Sequence, residues 1–441
     1  MILRTIITIL FAFCFQLYAQ ITPQFQWRTI KTDINSSFVK ITFSDSLHGW
    51  AMTQYELART TDGGESWQEQ TLPVDSLDLR RILFTSSSTG YITGEKGLIL
   101  ATKDGGSHWI KQNSGDNDHL LRGISFLNDS TGWVTGEMDD GKKRGGILLH
   151  TTNGGEKWDT LSDRSDGILY YAVNFQDNNN GIIIGSKGWD NLDLMKIYRT
   201  TDGGKNLNMV NQFGGVQTFA LYRAGKDTLW SGGFGFMKSI DYGISWNRYS
   251  NVELPDSTKY LLIFEDLLPI GGKKGYAVIS DVRGADKITL RLHYTEDEGD
   301  NWKIVSTPEG FQPLAVCKGG NYFYLAGYEG QIITNRPKSM GIEKKVSGVS
   351  SFQLMQNYPN PFNPSTTIEF FTPNESQVSL VVYNLLGKEV KCLVNEHISA
   401  GRYKMQWDGA DNYGKEVPSG VYLFNLKIGN KSELKKALLL R

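Results

Sequence analysis

The stretch Thr60-Thr61-Asp62-Gly63-Gly64-Glu65-Ser66-Trp67 decides the fold, because the chain repeats it. The later copies occupy residues 102–109, 151–158, 200–207, 239–246 and 295–302. Their spacing is uneven, so each copy belongs to a larger unit of variable length. Six copies of one short motif indicate a repeat architecture.

Each copy has the composition of a tight turn between two strands. The Asp carboxylate can accept hydrogen bonds from the backbone N–H groups that follow it, and the glycines supply positive φ at low steric cost. The Trp then starts the next strand and can pack over the turn. We therefore predict a structural corner in each copy, built from Asp62, Trp67, Asp104, Trp109, Asn153, Trp158, Asp202, Asp241, Trp246, Asp297 and Trp302.

The fourth copy carries Leu207 in place of the Trp, so its corner is expected to be looser. The alternative is that the carboxylates are catalytic or bind a metal ion. Copies that are spread around one fold cannot converge on a single site, which argues against this alternative. The motif resembles the Asp box, also called the BNR repeat. That resemblance implies a β-propeller in which the box joins the third and fourth strands of each blade at the periphery.

The residues before each box contain the rest of a four-stranded blade. Before the second box, for example, short strands are predicted at 79–84, 91–94 and 97–102, and the fourth strand follows at 109–112. The last unit, 314–334, has three strands but no box and no fourth strand. Residues 25–31 look like a fourth strand without a blade, so we predict that they complete the last blade. A ring of seven blades then has no open edge; rings of six or eight blades are the alternatives.

The longer repeats carry their extra residues between the second and third strands, at 137–145, 186–193 and 281–287. These loops share a face with the connections between blades, and insertions on one face often mark a binding face. The candidate ligand-face residues are Lys142, Lys143, Arg144, Trp189 and Asp190.

Two questions about this face stay open in the sequence. The basic loop residues, together with Arg80, Arg81 and Arg122, form either a basic patch or ordinary solvated charge. Trp189 either contacts a sugar or a partner surface or packs on its own loop. The aspartates at 139–140 and at 190 and 193 could bind Ca²⁺ weakly, but we predict no metal site and no cofactor.

The composition limits the class of protein. A chain of 441 residues has room for two or three domains, and its net charge of −1 gives no reason to expect nucleic acid or an anionic membrane surface as a partner. Cys317 and Cys392, one in each predicted domain, are expected to be free, buried thiols without a disulfide.

The N-terminus has the features of a targeting segment. Arg4 precedes an apolar run at 6–15, and Ala19 offers a small residue for cleavage. We predict a secretory signal peptide at 1–19 that is removed after Ala19, with a membrane anchor as the alternative. No other stretch of the sequence is apolar enough to span a bilayer.

The C-terminal part, residues 353–441, follows a polar linker at 337–352 and alternates like the strands of a small β-sandwich. It opens with Asn357-Tyr358-Pro359-Asn360-Pro361-Phe362-Asn363-Pro364, whose prolines favour an extended entry. This opening, the segments 382–390 and 418–422 and the tail 435–441 resemble the type A sorting domain of the type IX secretion system. The resemblance implies export across the outer membrane of a Bacteroidetes-type bacterium by that machinery. The alternative is an immunoglobulin-like adhesion module.

Two functional classes remain for the propeller at 20–336. Sialidases are Asp-box propellers, but they share a Phe/Tyr-Arg-Ile-Pro motif that this chain lacks, and no carboxylate pair of the kind that a retaining glycosidase needs stands out. The repeat is more similar to the photosystem II assembly/stability factor class, whose propellers bind without catalysis. We therefore predict an all-β protein that is secreted or held at the cell surface and binds a protein or glycan; a sialidase-like hydrolase is the alternative.

Overall fold

The computed structural model describes residues 23, 25–74, 78–115, 118–139, 144–163, 167–186, 195–214, 218–249, 251–254, 261–283, 287–337, 352–398, 401–412, 415–429 and 431–441. The predicted signal peptide and most of the predicted linker lie outside these ranges. The described residues form 36 strands and one short 3-10 turn. Within them, no helix has the length and apolar character needed to cross a membrane.

The N-terminal part is a seven-bladed β-propeller, as predicted. One strand, β1 (Arg28–Ile30), precedes the first blade. Blade 1 contains β2 (Lys40–Phe43), β3 (Gly49–Met52), β4 (Leu57–Thr60) and β5 (Gln68–Gln70). Blade 2 contains β6 (Leu79–Phe84), β7 (Gly90–Gly94), β8 (Ile99–Thr102) and β9 (Ile110–Lys111). Blade 3 contains β10 (Leu120–Phe126), β11 (Gly132–Asp139), β12 (Arg144–Thr151) and β13 (Asp159–Asp163).

The next three blades follow the same plan. Blade 4 contains β14 (Leu169–Phe175), β15 (Gly181–Ser186), β16 (Met195–Thr200) and β17 (Asn208–Phe213). Blade 5 contains β18 (Thr218–Arg223), β19 (Leu229–Gly233), β20 (Gly235–Ser239) and β21 (Asn247–Tyr249). A short strand, β22 (Asn251–Val252), comes before blade 6, which contains β23 (Leu261–Gly271), β24 (Lys274–Arg283), β25 (Lys287–Thr295) and β26 (Asn301–Val305).

The last blade is closed by the N-terminus. It contains β27 (Pro313–Gly319), β28 (Tyr322–Gly327), the 3-10 turn Tyr328–Gly330 and β29 (Ile332–Thr334). Strand β1 adds to this sheet antiparallel to β29, with Thr29 opposite Ile333. The prediction that the N-terminal strand completes the seventh blade is therefore confirmed.

Blade 6 has a feature that the four-strand plan did not include. Strand β22 pairs in parallel with the outer strand β26, which makes this sheet five-stranded. The chain stays on that edge at Glu253, whose N–H donates to Trp302 O at 2.8 Å and whose carboxylate accepts the N–H of Ile304 at 2.9 Å. The connection between blades thus covers an edge that would otherwise be open to another chain.

The insertion in blade 3 is mainly a longer hairpin rather than a loop. Strands β11 and β12 extend together until Asp139 pairs with Arg144. Only residues 140–143 lie beyond the paired part and outside the described ranges. The predicted loop at 137–145 was therefore too long, because backbone pairing between the two strands continues into the inserted residues.

One aromatic pattern joins successive blades. Phe84 near the end of β6 stacks on Trp50 of the preceding blade, with ring centroids 3.5 Å apart, and meets Trp109 of its own box edge-on at 6.0 Å. Phe43 occupies the same place in blade 1, where a Cβ at Gly49 would lie 2.6 Å from its ring. The glycine that begins the second strand is thus required by the close approach of this ring.

The six boxes form one kind of corner. In each, the hydroxyl of the first residue accepts the N–H of the second glycine position at 2.7–2.9 Å. In the first box, Asp62 accepts Glu65 N at 2.9 Å and Ser66 Oγ at 2.6 Å. The fourth box keeps these bonds, since Asn206 N lies 2.9 Å from Asp202. The fourth corner thus keeps its hydrogen bonds without the Trp, and the expectation that it is looser stays a prediction.

The C-terminal part is an immunoglobulin-like β-sandwich. Its smaller sheet has the order β30-β31-β34 and its larger sheet the order β33-β32-β35-β36. The peptide bonds before Pro359, Pro361 and Pro364 are cis. The strands are β30 (Gln353–Leu354), β31 (Thr366–Thr372), β32 (Ser376–Asn384), β33 (Glu389–Ile398), β34 (Gly401–Trp407), β35 (Gly420–Ile428) and β36 (Lys431–Leu439).

Candidate functional site at the mouth of the central channel

Most of the loop residues proposed from the sequence cannot be placed. Lys142, Lys143, Trp189 and Asp190 lie outside the described residues. Arg144 is described by its backbone alone and begins strand β12, so it does not belong to a loop as predicted. The candidate roles of these side chains remain predictions.

A bulge recurs near the start of the innermost strand of a blade. In each of blades 2 to 7, one residue of this strand is skipped in the pairing with the second strand. Such bulges redirect side chains and are common beside functional sites. The skipped residues are Arg80, Arg122, Tyr171, Phe219, Glu265 and Leu314.

Three of these residues meet at one cavity. Arg80, Arg122 and Tyr171, together with Lys40 and Arg81, line a space of about 250 Å³ on the face of the connections between blades. The boxes lie on the opposite face, because each joins a third strand to a fourth. The sequence had suggested the three arginines as part of a basic patch, and the structure brings them together with Lys40, which sequence reasoning did not select.

Each bulge arginine is paired with a carboxylate. Arg80 forms an ion pair with Asp78, and Arg122 forms one with Glu137. The guanidinium of Arg122 also lies 5.8 Å from the centre of the Tyr171 ring in the next blade. Among the described residues, the buried atoms Asp78 Oδ1 and Arg80 Nε have no hydrogen-bond partner.

The cluster mixes neighbouring cations with their carboxylate partners. Burial, and after it the neighbouring Arg122 guanidinium, lower the pKa of Arg80. Burial also lowers the pKa of Lys40, with the charge of Arg81 adding to this effect and that of Asp266 opposing it. Four cationic groups therefore lie close together at one mouth, and Lys40, Arg80 and Arg122 are each paired with a carboxylate.

The central channel continues below the mouth. A second cavity of about 460 Å³ is lined by the innermost strands of all seven blades. Inside it, Lys40 Nζ of blade 1 lies 2.7 Å from Asp266 Oδ1 of blade 6. Tyr222 of blade 5 donates to the same carboxylate, and Val316 N of blade 7 donates to Asp266 Oδ2 at 3.1 Å.

This group, which we call the channel plug (Lys40, Tyr222 and Asp266), joins side chains from opposite parts of the channel wall. The Lys40 and Asp266 side chains are only 14% and 5% exposed. Burial and the adjacent Asp266 raise the pKa of Tyr222 well above its usual value, so the hydroxyl keeps its proton and donates a hydrogen bond to the carboxylate. The channel plug therefore places buried polar side chains below the mouth.

A position in the repeat could have revealed this cluster. Val39, Arg80, Arg122 and Tyr171 each lie four residues before the Phe that ends the innermost strand of blades 1 to 4. The bulge itself is not visible in the sequence, because it depends on the pairing with the second strand. Tyr222 and Asp266 do not lie at this repeated position, so the repeat does not point to them.

The thiols and metal-binding residue types form no further site in the described part of the chain. Cys317 is buried beside the channel and Cys392 is half-buried, and both are free. Burial raises the pKa of the Cys317 thiol well above its usual value. Within the described ranges, no three His, Cys, Asp or Glu side chains form a group that could hold a metal ion.

Comparisons with known proteins agree with this architecture. The family model described as "Photosynthesis system II assembly factor YCF48" matches residues 19–83 and 71–226. The FlgD Ig-like domain model matches residues 364–432. A search of curated proteins found no match. The first part of the chain is thus a BNR-type β-propeller, and the second is an immunoglobulin-like domain.

Three solved structures illustrate the range of similar folds. YCF48 bound to D1 peptide is 18% identical and covers 71% of this chain and 95% of its own, with a TM-score of 0.49. Virginiamycin B lyase from Staphylococcus aureus is 13% identical over 70% of this chain and 99% of its own, with a TM-score of 0.50. The GH74 xyloglucanase from Xanthomonas campestris is 11% identical over 93% of this chain and 75% of its own, with a TM-score of 0.50. At these identities the similarity shows the fold alone.

Proposed function

We propose that the propeller is a non-catalytic module that binds an acidic peptide segment of a partner protein at the mouth of the central channel. The observation that carries this proposal is the convergence of Lys40, Arg80, Arg81 and Arg122 on one cavity. The similarity to the YCF48 assembly factor model supports a role in binding rather than in catalysis.

The chemistry of the mouth suits carboxylates. A guanidinium group offers a planar pair of donors that matches a carboxylate, and such charge-assisted hydrogen bonds are strong. The Tyr171 ring provides an apolar wall beside Arg122. A cavity of about 250 Å³ admits a short run of side chains rather than a folded domain.

The binding proposal is tested with two double variants of equal charge change. Arg81→Gln with Arg122→Gln removes charge from the mouth, whereas Lys103→Gln with Lys157→Gln removes it from exposed box residues on the other face. Binding of a fluorescent hexaglutamate peptide is measured by anisotropy at low and high salt. The mouth variant should weaken binding at least about tenfold, and salt should weaken binding to the wild type.

Three results would contradict the proposal. Equal losses in both double variants would mean that the peptide responds to net charge alone. Equal binding of a hexaglutamine peptide would mean that the carboxylates are not recognised. The third is turnover of sialosides or polysaccharides that is lost in a mouth carboxylate variant such as Asp78→Asn. In that case the propeller would be a hydrolase rather than a binding module.

The candidate loops add a second test on the same face. If Trp189 contacts a partner, Trp189→Ala should reduce the recovery of protein or glycan partners in array binding without changing thermal stability. If Trp189 packs on its own loop, the same substitution lowers the melting temperature and leaves the contact pattern unchanged.

We also propose that residues 353–441 direct export by the type IX secretion machinery after removal of the signal peptide at Ala19. The immunoglobulin-like fold of this domain and its terminal motifs support this role. Deletion of 353–441 should leave the propeller in the periplasm, as measured by fractionation of a Bacteroidetes-type host. Normal secretion of the truncated chain would show that the domain is an adhesion module instead.

A further inference from the structure

The seam between the last blade and the first blade is organised around Arg336. This residue follows β29, where the other blades carry a box. Its guanidinium donates to Ser46 O of blade 1 and lies so close to Gly63 of the first box that a Cβ there would overlap it. Arg336 is only 8% exposed, so the missing seventh corner is filled by a buried cation.

The same residue is bonded to the strand that closes the ring. Arg28 of β1 donates from Nε to Arg336 O at 2.7 Å and from Nη2 to Glu65 of the first box at 2.5 Å. Tyr324 of blade 7 donates to Gly63 O at 2.7 Å. Arg336 therefore connects the closing strand, blade 7 and blade 1.

The C-terminal domain contacts this seam through its edge strand β33. The hydroxyl of Tyr322 donates to Leu393 O at 2.6 Å, and Asn321 Nδ2 lies 3.7 Å from Cys392 Sγ. Glu396 lies 3.7 Å from Arg336 Nη2, with side chains that are 11% and 9% exposed. The Arg336 guanidinium is also 5.5 Å from the centre of the Tyr322 ring.

These contacts give the seam a partner within the same chain. We infer that the surface formed by Asn321, Tyr322 and Arg336 is a docking surface for strand β33, and that docking of the C-terminal domain stabilises the closed ring. Glu396 is the carboxylate that the described residues place within ion-pair distance of Arg336. Its loss leaves a nearly buried guanidinium without a counter-charge at the point where the ring closes, and a buried unpaired charge is strongly unfavourable.

Docking of the C-terminal domain affects how firmly the propeller ring is closed. Strand β1 contributes only three residues to the last blade, so its pairing depends on the contacts around it. A docked C-terminal domain adds contacts to Arg336, and Arg336 accepts a hydrogen bond from Arg28 of β1. Closure and docking therefore favour each other, because each holds Arg336 in the geometry that the other needs.

The test uses hydrogen exchange on the full chain. Glu396→Gln removes the ion pair at the seam, and Glu375→Gln removes an exposed contact with the His397 imidazole in the same domain as a matched control. Exchange of the β1 and β29 amides should become at least about fivefold faster in Glu396→Gln and stay unchanged in Glu375→Gln. Tyr322→Phe, which loses the bond to Leu393 O, should change exchange in the same direction.

The exchange rates of the β1 and β29 amides decide the outcome, even if the substitution also changes the stability of the C-terminal domain. Faster exchange at these strands supports the coupling, whether or not β32 and β35 remain protected. Unchanged exchange at β1 and β29 in Glu396→Gln overturns the inference, because docking would then be lost or altered without any effect on ring closure.

Discussion

At the scale of the residue, one side-chain oxygen organises each corner of the propeller. Asp62 Oδ1 receives the Thr60 hydroxyl at 2.7 Å and the N–H groups of Glu65 and Ser66 at 2.9 and 3.0 Å. The third corner does the same with an amide, since Asn153 Oδ1 accepts Lys157 N at 3.0 Å. The corner thus needs an acceptor at this position more than it needs a charge.

This comparison leads to a prediction for Asp62. Asp62→Asn keeps the acceptor, and the Ser66 hydroxyl can turn to accept from the amide, so the loss of stability should stay below about 1 kcal/mol. Asp62→Ala leaves several donors without a partner and should cost about 1–3 kcal/mol. Thermal unfolding of the two variants measures the difference, and equal losses would mean that the charge is what stabilises the corner.

The pKa values of the corner carboxylates also predict how acid affects the folding stability of the propeller. Hydrogen bonds from Asn206 hold the pKa of Asp202 at about 2. At Asp104, slight burial raises the pKa, but hydrogen bonds from His108 outweigh it and bring the value to about 2. The unfolded value is about 3.9, so the unfolded chain binds more protons, and this stability is present above pH 4 and is lost as the pH falls through about 2.

Asp104→Asn combined with Asp202→Asn removes two of these titrating groups. The melting temperature of the double variant should therefore fall less between pH 4 and pH 2 than that of the wild type. Asn153 shows that an amide can occupy this position. The same acid slope in both proteins would show that other carboxylates determine it.

At the scale of the element, the three-residue strand β1 has an effect that exceeds its length. Ile30 is 4% exposed and packs in one cluster with Trp67 of the first box and Tyr324 of the last blade. The strand therefore adds apolar contacts across the seam as well as hydrogen bonds to β29. Because it comes from the start of the chain, it brings the two ends of the propeller together.

The packing of Ile30 can be tested by truncation. Ile30→Ala should destabilise the propeller by about 2–5 kcal/mol, as is usual for a buried aliphatic side chain. Ile240→Ala is the matched control, since Ile240 is 61% exposed and its truncation should change stability by no more than about 0.5 kcal/mol. Chemical denaturation measures both, and a small effect at Ile30 would mean that β1 is not required for closure.

At the scale of the whole molecule, the channel plug connects blades that are not neighbours. Lys40 and Asp266 are 226 positions apart in the chain, and blade 7 lies between their blades. Blade 7 offers a small side chain, Ala315, at the matching place after its bulge. The ion pair therefore spans part of the channel.

Removing one member of the Lys40–Asp266 ion pair should lower the unfolding free energy strongly. Replacing both members should lower it less than the two single losses would suggest. Asp266→Asn leaves the buried Lys40 ammonium without its counter-charge and should lower the unfolding free energy by about 3–5 kcal/mol. Adding Lys40→Met removes that unpaired charge, so the double variant should be more stable than the sum of the two single losses. Additive losses in chemical denaturation would show that the two groups do not interact.

Features that come from local patterns could be predicted from the order of the amino acids alone. The boxes, the strands before them, the count of seven blades and the closing N-terminal strand could be predicted because turn chemistry and strand alternation are encoded within short segments. The immunoglobulin-like domain was equally visible, since its strands and turns follow one another closely.

Contacts between distant residues could be identified only in the folded chain. The bulges at Arg80, Arg122 and Tyr171 depend on the pairing register between two strands, and the plug and the seam join residues from different blades. Arg336 and Ser46, for example, are 290 positions apart. No local pattern specifies such contacts, because the ring must close before the innermost strands face a common channel.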